Sequence, residues 1–521
     1  MTSESTDGRA AGIAAGYATE GQALELGTVV VDGVADPAAR VRIPLATVNR
    51  HGLVAGATGT GKTKSLQVLA EQLSAAGVPV LMADVKGDLS GLARPGEPGE
   101  RISERAADTG DQWAPTAYPV EFLALGADGA GVPVRATVSS FGPILLSKVL
   151  GLNQTQESTL GLIFHWADQK GLPLLDLKDL RSVIHFLTSE DGKLELKALG
   201  AVSTTTAGVI LRALVNLEAE GADTFFGEPE FEPDDLLRVD AEGRGVVTLL
   251  ELGSQAVRPV LFSTFLMWVL ADLFTTLPEV GDLDKPKLVF FFDEAHLLFA
   301  DASKAFLEQV EQTVKLIRSK GVGVFFCTQL PTDVPSGVLS QLGARVQHAL
   351  RAFTPDDEKA LRKTVRTYPK TDVYDLQSAL SSLGIGEAIV TVLSEQGVPT
   401  PVAWTRMRAP RSLMDTIGTG AIVAAAAASP LQAEYGQTVD RESAYERLAA
   451  RLAPPSPPAD LPPVPTGFDV PPMPAPAPEP GLFDKVMDSP AFKSAMRSAG
   501  TVIGREITRS IFGTGRRRRR R

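Results

Sequence analysis

The sequence predicts an α/β protein built on a largely parallel sheet, with a phosphate-binding loop at the end of one strand. Three observations lead there. The short apolar stretch Gly52-Leu53-Val54-Ala55 runs into the glycine-rich turn Gly56 to Thr63, and a helical apolar pattern (Leu66, Leu69, Leu73, Ala76) follows. A second run, Leu288 to Phe292, is apolar at every position, as a strand buried on both faces must be, and it ends in Asp293-Glu294. Further buried runs, Val78 to Ala83 and Val322 to Cys327, alternate with amphipathic helical stretches, the pattern of strands covered by helices on both sides.

Taken in order, residues 24–50 alternate apolar and polar side chains and predict a small β-hairpin leading into the core. The turn Gly56-Ala57-Thr58-Gly59-Thr60-Gly61-Lys62-Thr63 is a complete phosphate loop in its required strand–turn–helix setting. Its glycines let main-chain N–H groups face phosphate oxygens, and the helix N-terminus adds partial positive charge. Lys62 would reach the β- and γ-phosphates and the Thr63 hydroxyl would bind Mg²⁺. A nucleoside triphosphate is the implied ligand. Asp84 and Asp88, beyond the strand Val78 to Ala83, either assist metal or water placement or cap the next turn.

Residues of about 141–240 read as a helical insert, with helices over Ile144 to Leu150, Gln154 to Lys170, Leu177 to Leu187 and Ala207 to Glu218, and no motif of their own. Val246 to Leu250 adds a strand before a long apolar helix from Pro259 to Phe274. A carboxylate leaving the C-terminal end of a parallel strand enters the ligand crevice. Asp293 would therefore hold Mg²⁺ through water, and Glu294 would orient or deprotonate the attacking water. After the helix Ser303 to Arg318, the strand Val322 to Cys327 ends in Thr328-Gln329. These either touch the γ-phosphate or water, or merely open the loop before Pro331. Arg318 either caps its helix C-terminus or reaches a neighbouring subunit's γ-phosphate. With Ala344 to Leu350 and Glu387 to Leu393, the sheet totals roughly seven to nine strands.

Gly-Ala-Thr-Gly-Thr-Gly-Lys-Thr (56–63), Phe-Phe-Asp-Glu-Ala-His (291–296), Arg-Ser-Lys-Gly-Val-Gly (318–323) and Cys-Thr-Gln-Leu-Pro (327–331) together resemble the HerA/FtsK superfamily of ring-forming ATPases. Asp84 to Ser90, Leu150 to Asn153, Phe225 to Pro229 and Arg345 to Arg351 are similar to the YjgR-type branch of HerA-like helicases. The resemblance covers about residues 22–410. It implies a RecA-like P-loop NTPase core, ATP and Mg²⁺ as cofactors, hexamers, and ATP-driven movement along double-stranded DNA. It also implies catalytic roles for Lys62, Glu294 and Gln329, a metal role for Thr63 and Asp293, and Arg318 as the arginine finger, with Arg345 and Arg351 behind it. Two departures from HerA itself stand out: some 50 residues precede the loop, too few for the full N-terminal β-barrel, and the insert splits the core.

Composition narrows the class. Hydrophobic content of 44% and charged content of 22% are ordinary for a globular chain. A single cysteine, Cys327, excludes internal disulfides and cysteine-based metal sites and fits a reducing cytoplasm. The longest apolar stretch, Val260 to Ala271, is too short to cross a bilayer, so no integral membrane segment is expected. The net charge is −11 even with the six arginines Arg516 to Arg521 included, which argues against a broad basic docking face for DNA. A local one remains: after the helix start Thr354-Pro355-Asp356-Asp357-Glu358, Lys359, Arg362, Lys363, Arg366 and Lys370 fall on one face.

The domain plan is a disordered N-terminus (1–21), an ATPase core (22–410), an Ala/Pro-rich linker (411–480) with an alanine run, Ala424 to Ala428, a short helical stretch near Ser443 to Leu452 and 13 prolines in residues 454–480, and an amphipathic helical segment with an arginine tail (481–521). That last segment could bind an anionic membrane surface, nucleic acid or a protein partner. The functional expectation is a motor ATPase acting on DNA. Its rivals are a nucleotide-switched scaffold and a protein-remodelling ATPase, both favoured by the acidic body.

Overall fold

Leu288–Phe292 is buried at every position because it lies inside a sheet, with strands on both edges and apolar layers on both faces. The computed structural model describes residues 6–84, 87–125, 129–195, 200, 202–219, 221–251, 259–281, 283–300 and 302–452. Its strands in chain order are β1 (Ala23–Val31), β2 (Val34–Pro44), β3 (Gly52–Ala55), β4 (Val80–Asp84), β5 (Val120–Leu125), β6 (Val132–Val134), β7 (Val247–Glu251), β8 (Leu288–Phe292), β9 (Val322–Thr328), β10 (Ala344–Gln347), β11 (Glu387–Thr391) and β12 (Ala403–Met407).

These strands form one 12-stranded sheet in the order β2-β1-β12-β11-β10-β3-β9-β8-β4-β7-β5-β6. From β10 to β6 every neighbouring pair runs parallel. From β10 through β11, β12 and β1 to β2 every pair runs antiparallel. The sheet exceeds the roughly seven to nine strands expected because β5, β6 and β12 join it, and because the N-terminal hairpin does not merely lead into the core. It joins the sheet through β12, with Gly27 opposite Met407.

Side chains alternate between the two faces, as the two-residue period of a strand requires. One face carries Leu53, Leu81, Leu123, Phe290, Phe292 and Phe326, and the helical insert packs there with the helices Pro259–Thr276 and Lys304–Ile317. The other carries Val54, Val80, Met82, Phe291, Phe325 and Cys327 under the helix Lys62–Ala75. The insert helices Val138–Val149, Gln154–Gln169, Leu177–Thr188 and Thr204–Ala219 follow the sequence reading closely. They share one continuous apolar core with the sheet.

Two boundaries expected from composition are corrected. Within the N-terminus expected to be disordered, Thr6–Ala15 forms a helix that buries Ala10 and Ile13. Just after it, Tyr17 donates to the carbonyls of Val390 (2.8 Å) and Pro401 (2.6 Å), tying the segment to the antiparallel wing. The first part of the expected linker, residues 411–452, is a packed strap with helices Thr419–Ala428, Leu431–Tyr435 and Ala444–Leu452, the last where a helical stretch was expected. Tyr435 is fully buried against Phe231 at 5.5 Å, donates to Asp235 Oδ2 (2.6 Å) and accepts from Glu232 N (3.2 Å). Further on, Ser443 O–H donates to Asp179 Oδ1 on the insert (2.5 Å). The proline-rich stretch 454–480 and the amphipathic, arginine-ended segment 481–521 lie outside the described residues.

A strap that packs this way carries stability. Tyr435→Ala is expected to destabilise the protein by about 3–5 kcal/mol, the cost of truncating a buried aromatic side chain. Urea unfolding would show a lowered midpoint, whereas an unchanged midpoint would mean that the strap is a loose linker after all.

Candidate nucleotide-binding site

In a parallel block all C-terminal strand ends share one edge, and this edge carries the phosphate loop and several polar residues. From the antiparallel wing inward, the line runs from His348 after β10 to the phosphate loop after β3, then Gln329 after β9 and Asp293-Glu294 after β8. Asp84 ends β4 and Glu251 ends β7.

The loop is held from both sides. Gly56 N–H donates to Thr328 O (3.2 Å) and Ala57 N–H to Ala349 O (2.8 Å). Gly56, Gly59 and Gly61 have φ of 153°, 77° and 113°, conformations that favour glycine. At Gly56 an added Cβ would stand 2.5 Å from His348 Cβ, so glycine is required sterically as well. Thr60 is buried and its hydroxyl donates to Ala57 O (2.7 Å), while Thr58 and Gly59 are exposed at the tip. Lys62 opens the helix Lys62–Ala75 and donates to the carbonyls of Gly56 (2.6 Å) and Ala57 (3.1 Å), so its ammonium lies against the loop.

A residue to which the sequence reading assigned no role braces this loop. His348 is fully buried; its Nδ1 donates to Glu387 O (2.9 Å), which leaves Nε2 to accept from the Ser65 hydroxyl (2.9 Å). Burial, and then the charge of Lys62, push its pKa down to about 4, so the ring is neutral. The chain Ser65–His348–Glu387 ties the first turn of the loop helix to β10 and β11. Sequence could have marked His348 through its place in the Arg345 to Arg351 motif, but not its partners.

Asp293 Oδ1 accepts from Glu294 N–H (2.9 Å), and Glu294 adopts a φ of 47°, which costs a non-glycine residue about 1–3 kcal/mol. His296 Nδ1 lies 3.4 Å from Glu294 Oε2. Burial first, and the Asp293 carboxylate next, push the pKa of the Cys327 thiol up, with Lys62 opposing and Glu294 adding to the rise. Cys327 is thus a core residue.

Asp84 caps the turn after β4, its Oδ1 accepting from Asp88 N–H (3.1 Å) and its Oδ2 from Leu89 N–H (3.0 Å). Burial raises its pKa to about 6, with the nearby Asp88 and Asp293 charges adding to that. Glu251, absent from the sequence-based site, stands in register with Asp84 on β7. Burial and then Asp84 raise its pKa to about 7.

The polar pair after β9 divides its roles. Thr328 is buried and donates to Asp333 Oδ2 (2.6 Å), closing the following turn. Gln329 is exposed at the crevice. Arg345 is half-buried and donates to Thr367 O (3.3 Å), whereas Arg351 is exposed on the loop side of the sheet. Arg318 is exposed at the end of the helix Lys304–Ile317, ahead of β9 and therefore at the opposite edge of the sheet from the loop.

The donor set fits a magnesium nucleotide. The loop supplies main-chain N–H groups and an ammonium, and the Thr63 hydroxyl and Asp293 carboxylate are hard oxygen ligands of the kind Mg²⁺ prefers. Among the described residues no three His, Cys, Asp or Glu side chains form a metal-holding group. Thr63 and Asp293 would thus hold the ion together with phosphate oxygens and water, as Mg²⁺ commonly is held.

Fold and site together define a P-loop ATPase of the HerA/FtsK type. The chain belongs to the family described as Helicase HerA-like C-terminal, whose model matches residues 31–520. Among solved structures it is similar to the bacterial conjugative coupling protein TrwBΔN70 in an unbound form, at 16% identity, with 78% of this chain and 94% of that one covered and a TM-score of 0.50. The TrwB complex with a non-hydrolysable ATP analogue matches at 16% identity, 78% and 95% coverage and a TM-score of 0.49. VirB4 of Thermoanaerobacter pseudethanolicus matches at 14% identity, 75% and 98% coverage and a TM-score of 0.44. At these identities the likeness concerns the fold. No curated protein matches the chain. Among the described residues, no helix is long and apolar enough to cross a membrane.

The neutral, buried His348 has a consequence for stability. Unfolded histidine takes up a proton near pH 6.5, but folded His348 resists until about pH 4. The unfolded state therefore binds more protons in that window, and stability falls as pH drops through it. His51, also pushed down to about 4 by burial, acts in the same direction. His348→Gln is expected to remove up to about 3 kcal/mol of the stability lost between pH 7 and pH 4. Urea unfolding of both proteins across that range measures it, and an unaltered slope would contradict a neutral His348.

Proposed function

We propose that this chain is an ATP-hydrolysing motor that works as a ring of subunits, hexameric by resemblance, on double-stranded DNA in the cytoplasm. The observation that carries this reading is the position of Arg318. β9 has seven residues, which span about 20 Å, and Arg318 stands at the end of β9 remote from its own phosphate loop. An exposed arginine there has no route to the nucleotide of its own subunit, and its place at the surface leaves it open to a nucleotide bound by a neighbour.

The chemistry follows from the groups at the loop edge. Main-chain N–H groups of residues 58–63 hold the β- and γ-phosphates, and Lys62 turns from the Gly56 and Ala57 carbonyls to the phosphate oxygens. Glu294 orients the attacking water and accepts its proton. Gln329, exposed beside it, contacts the γ-phosphate or that water and so registers hydrolysis. Thr63 and Asp293 would hold Mg²⁺, which would supply positive charge against the phosphates. Arg318 from the neighbouring subunit stabilises the charge that builds on the transferring group.

For DNA, the helix Pro355–Val365 offers a basic face. Lys359, Arg362 and Lys363 are exposed while Leu361 and Thr364 are buried, and Thr354 and Asp357 close a capping box at its start. Arg366 and Lys370 continue the exposed basic set, and Arg362 pairs with Glu358. Phe353, just before the helix, is 82% exposed. A local basic strip of this kind can meet phosphates in a ring channel although the chain as a whole is acidic.

Steady-state ATP hydrolysis at fixed salt, with and without duplex DNA, tests the proposal. Hydrolysis should rise several-fold with DNA, and Glu294→Gln should abolish it, by about a hundredfold or more. Lys359→Glu with Arg362→Glu should remove the DNA response and spare basal turnover. Arg318→Ala should lower kcat by about a thousandfold with little change in ATP binding. Glu294-dependent hydrolysis indifferent to DNA would instead favour a nucleotide-switched scaffold or a protein-remodelling ATPase, as the net charge of −11 suggests.

A further inference from the structure

We propose that Ile385, on the short loop ahead of β11, is the platform on which the nucleobase rests, and that this platform grips the base without reading it. The inference depends on the site binding a nucleoside triphosphate as described above, and its geometry comes from the order of strands along the loop edge. β8, bearing Asp293 and Glu294, lies two strands from β3 on one side; β11 lies two strands from β3 on the other. Each step is about 4.8 Å. A triphosphate lying across the loop with its γ end toward Glu294 must leave its ribose and base on the β10–β11 side.

Gly384-Ile385-Gly386 stands at that place. Gly386 N–H donates to Thr60 O in the phosphate loop (3.1 Å), and an added Cβ on Gly61 would meet Gly386 Cα at 3.2 Å. The lip is therefore in direct contact with the loop. It is also rigidly held: Arg105, on the helix Glu100–Thr109, donates to the carbonyls of Ile385 (3.1 Å) and Gly386 (3.0 Å). Yet the Ile385 side chain is 75% exposed, an apolar group facing outward from a braced loop beside the catalytic machinery. A large aliphatic side chain in that position gives a flat base a surface to cover.

The same hydrogen bonds determine the selectivity. Gly384 N–H donates to Glu387 Oε2 (2.9 Å) and Gly384 O accepts from Glu387 N–H (3.1 Å). With Gly386 O also accepting from Met407 N–H (2.9 Å), the Ile385 N–H is the one main-chain polar group of the lip not engaged by a described residue. A lip that offers a base apolar contact and at most one main-chain donor, with the Arg105 guanidinium engaged by the lip's own carbonyls, cannot discriminate strongly by hydrogen bonding. Adenine and guanine nucleotides should bind within about tenfold of each other.

The experiment uses the full chain with Mg²⁺ and compares wild type, Ile385→Ser and Ile385→Phe. ATP and GTP hydrolysis give KM and kcat, and inorganic tripolyphosphate, which has phosphates but no base, is measured as a competitive inhibitor. A contact distant from the reacting bond is made equally in ground and transition states, so its loss raises KM and spares kcat. Ile385→Ser should raise KM about tenfold for both nucleotides, with kcat and the tripolyphosphate inhibition constant unchanged, and Ile385→Phe should retain wild-type KM. An unchanged KM for Ile385→Ser overturns the proposal. So does an equal loss for ATP and tripolyphosphate, which would mean that the phosphate loop itself had been disturbed. A wild-type preference for one base of a hundredfold or more overturns the claim of selectivity. Wild-type protein that neither hydrolyses nucleotides nor binds tripolyphosphate would overturn the nucleotide site itself, a result distinct from all of these.

Discussion

The phosphate loop is useful only while its N–H groups point at one place, and a glycine-rich turn does not hold such a shape unaided. Here the restraint comes from the two neighbouring strands, through Gly56 to Thr328 on the β9 side and Ala57 to Ala349 on the β10 side. Beneath them, the buried chain Ser65–His348–Glu387 fixes the start of the loop helix. A neutral imidazole suits that position because it can donate and accept at once, whereas an imidazolium beside Lys62 would be opposed by both burial and charge. The antiparallel wing is thus part of the site: β11 supplies the last link of the brace, and β12 and the N-terminal hairpin hold β11 in the sheet.

How much of this could be read beforehand depended on the range of the interaction. Gly56 to Thr63, Asp293-Glu294 and the insert helices were legible because each is encoded within one continuous stretch, as a motif or as an apolar period. Glu251 was missed although the signal, a carboxylate ending a buried strand, is the same as at Asp293; its meaning comes from pairing with β4. The surroundings of His348 and Ile385 were illegible because their partners, Ser65 for His348 and Arg105 for the Ile385 carbonyl, lie hundreds of residues away in the chain. The strap was misjudged for another reason. An alanine run before a proline-rich tract has the composition of a linker, and only the burial of Tyr435 and Ser443 on the insert distinguishes residues 411–452 from one.

Those same residues join two regions of the core that the sheet alone would leave separate. The strap begins at the loop helix, where the buried Glu71 accepts from the N–H groups of Arg411 (2.9 Å) and Ser412 (2.8 Å), and Lys64, next to Thr63, donates to Met414 O (2.8 Å). It ends on the insert, on the opposite face of the sheet, through Ser443 and Asp179. A displacement of the loop helix is therefore resisted by hydrogen bonds that lead, through packed elements, to the helical layer. Packed elements transmit such movements because close-packed interiors deform little. In a P-loop ATPase, work from nucleotide hydrolysis must pass from the phosphate edge to other surfaces of the protein. The strap gives the loop helix a second mechanical connection, besides the strand that precedes it.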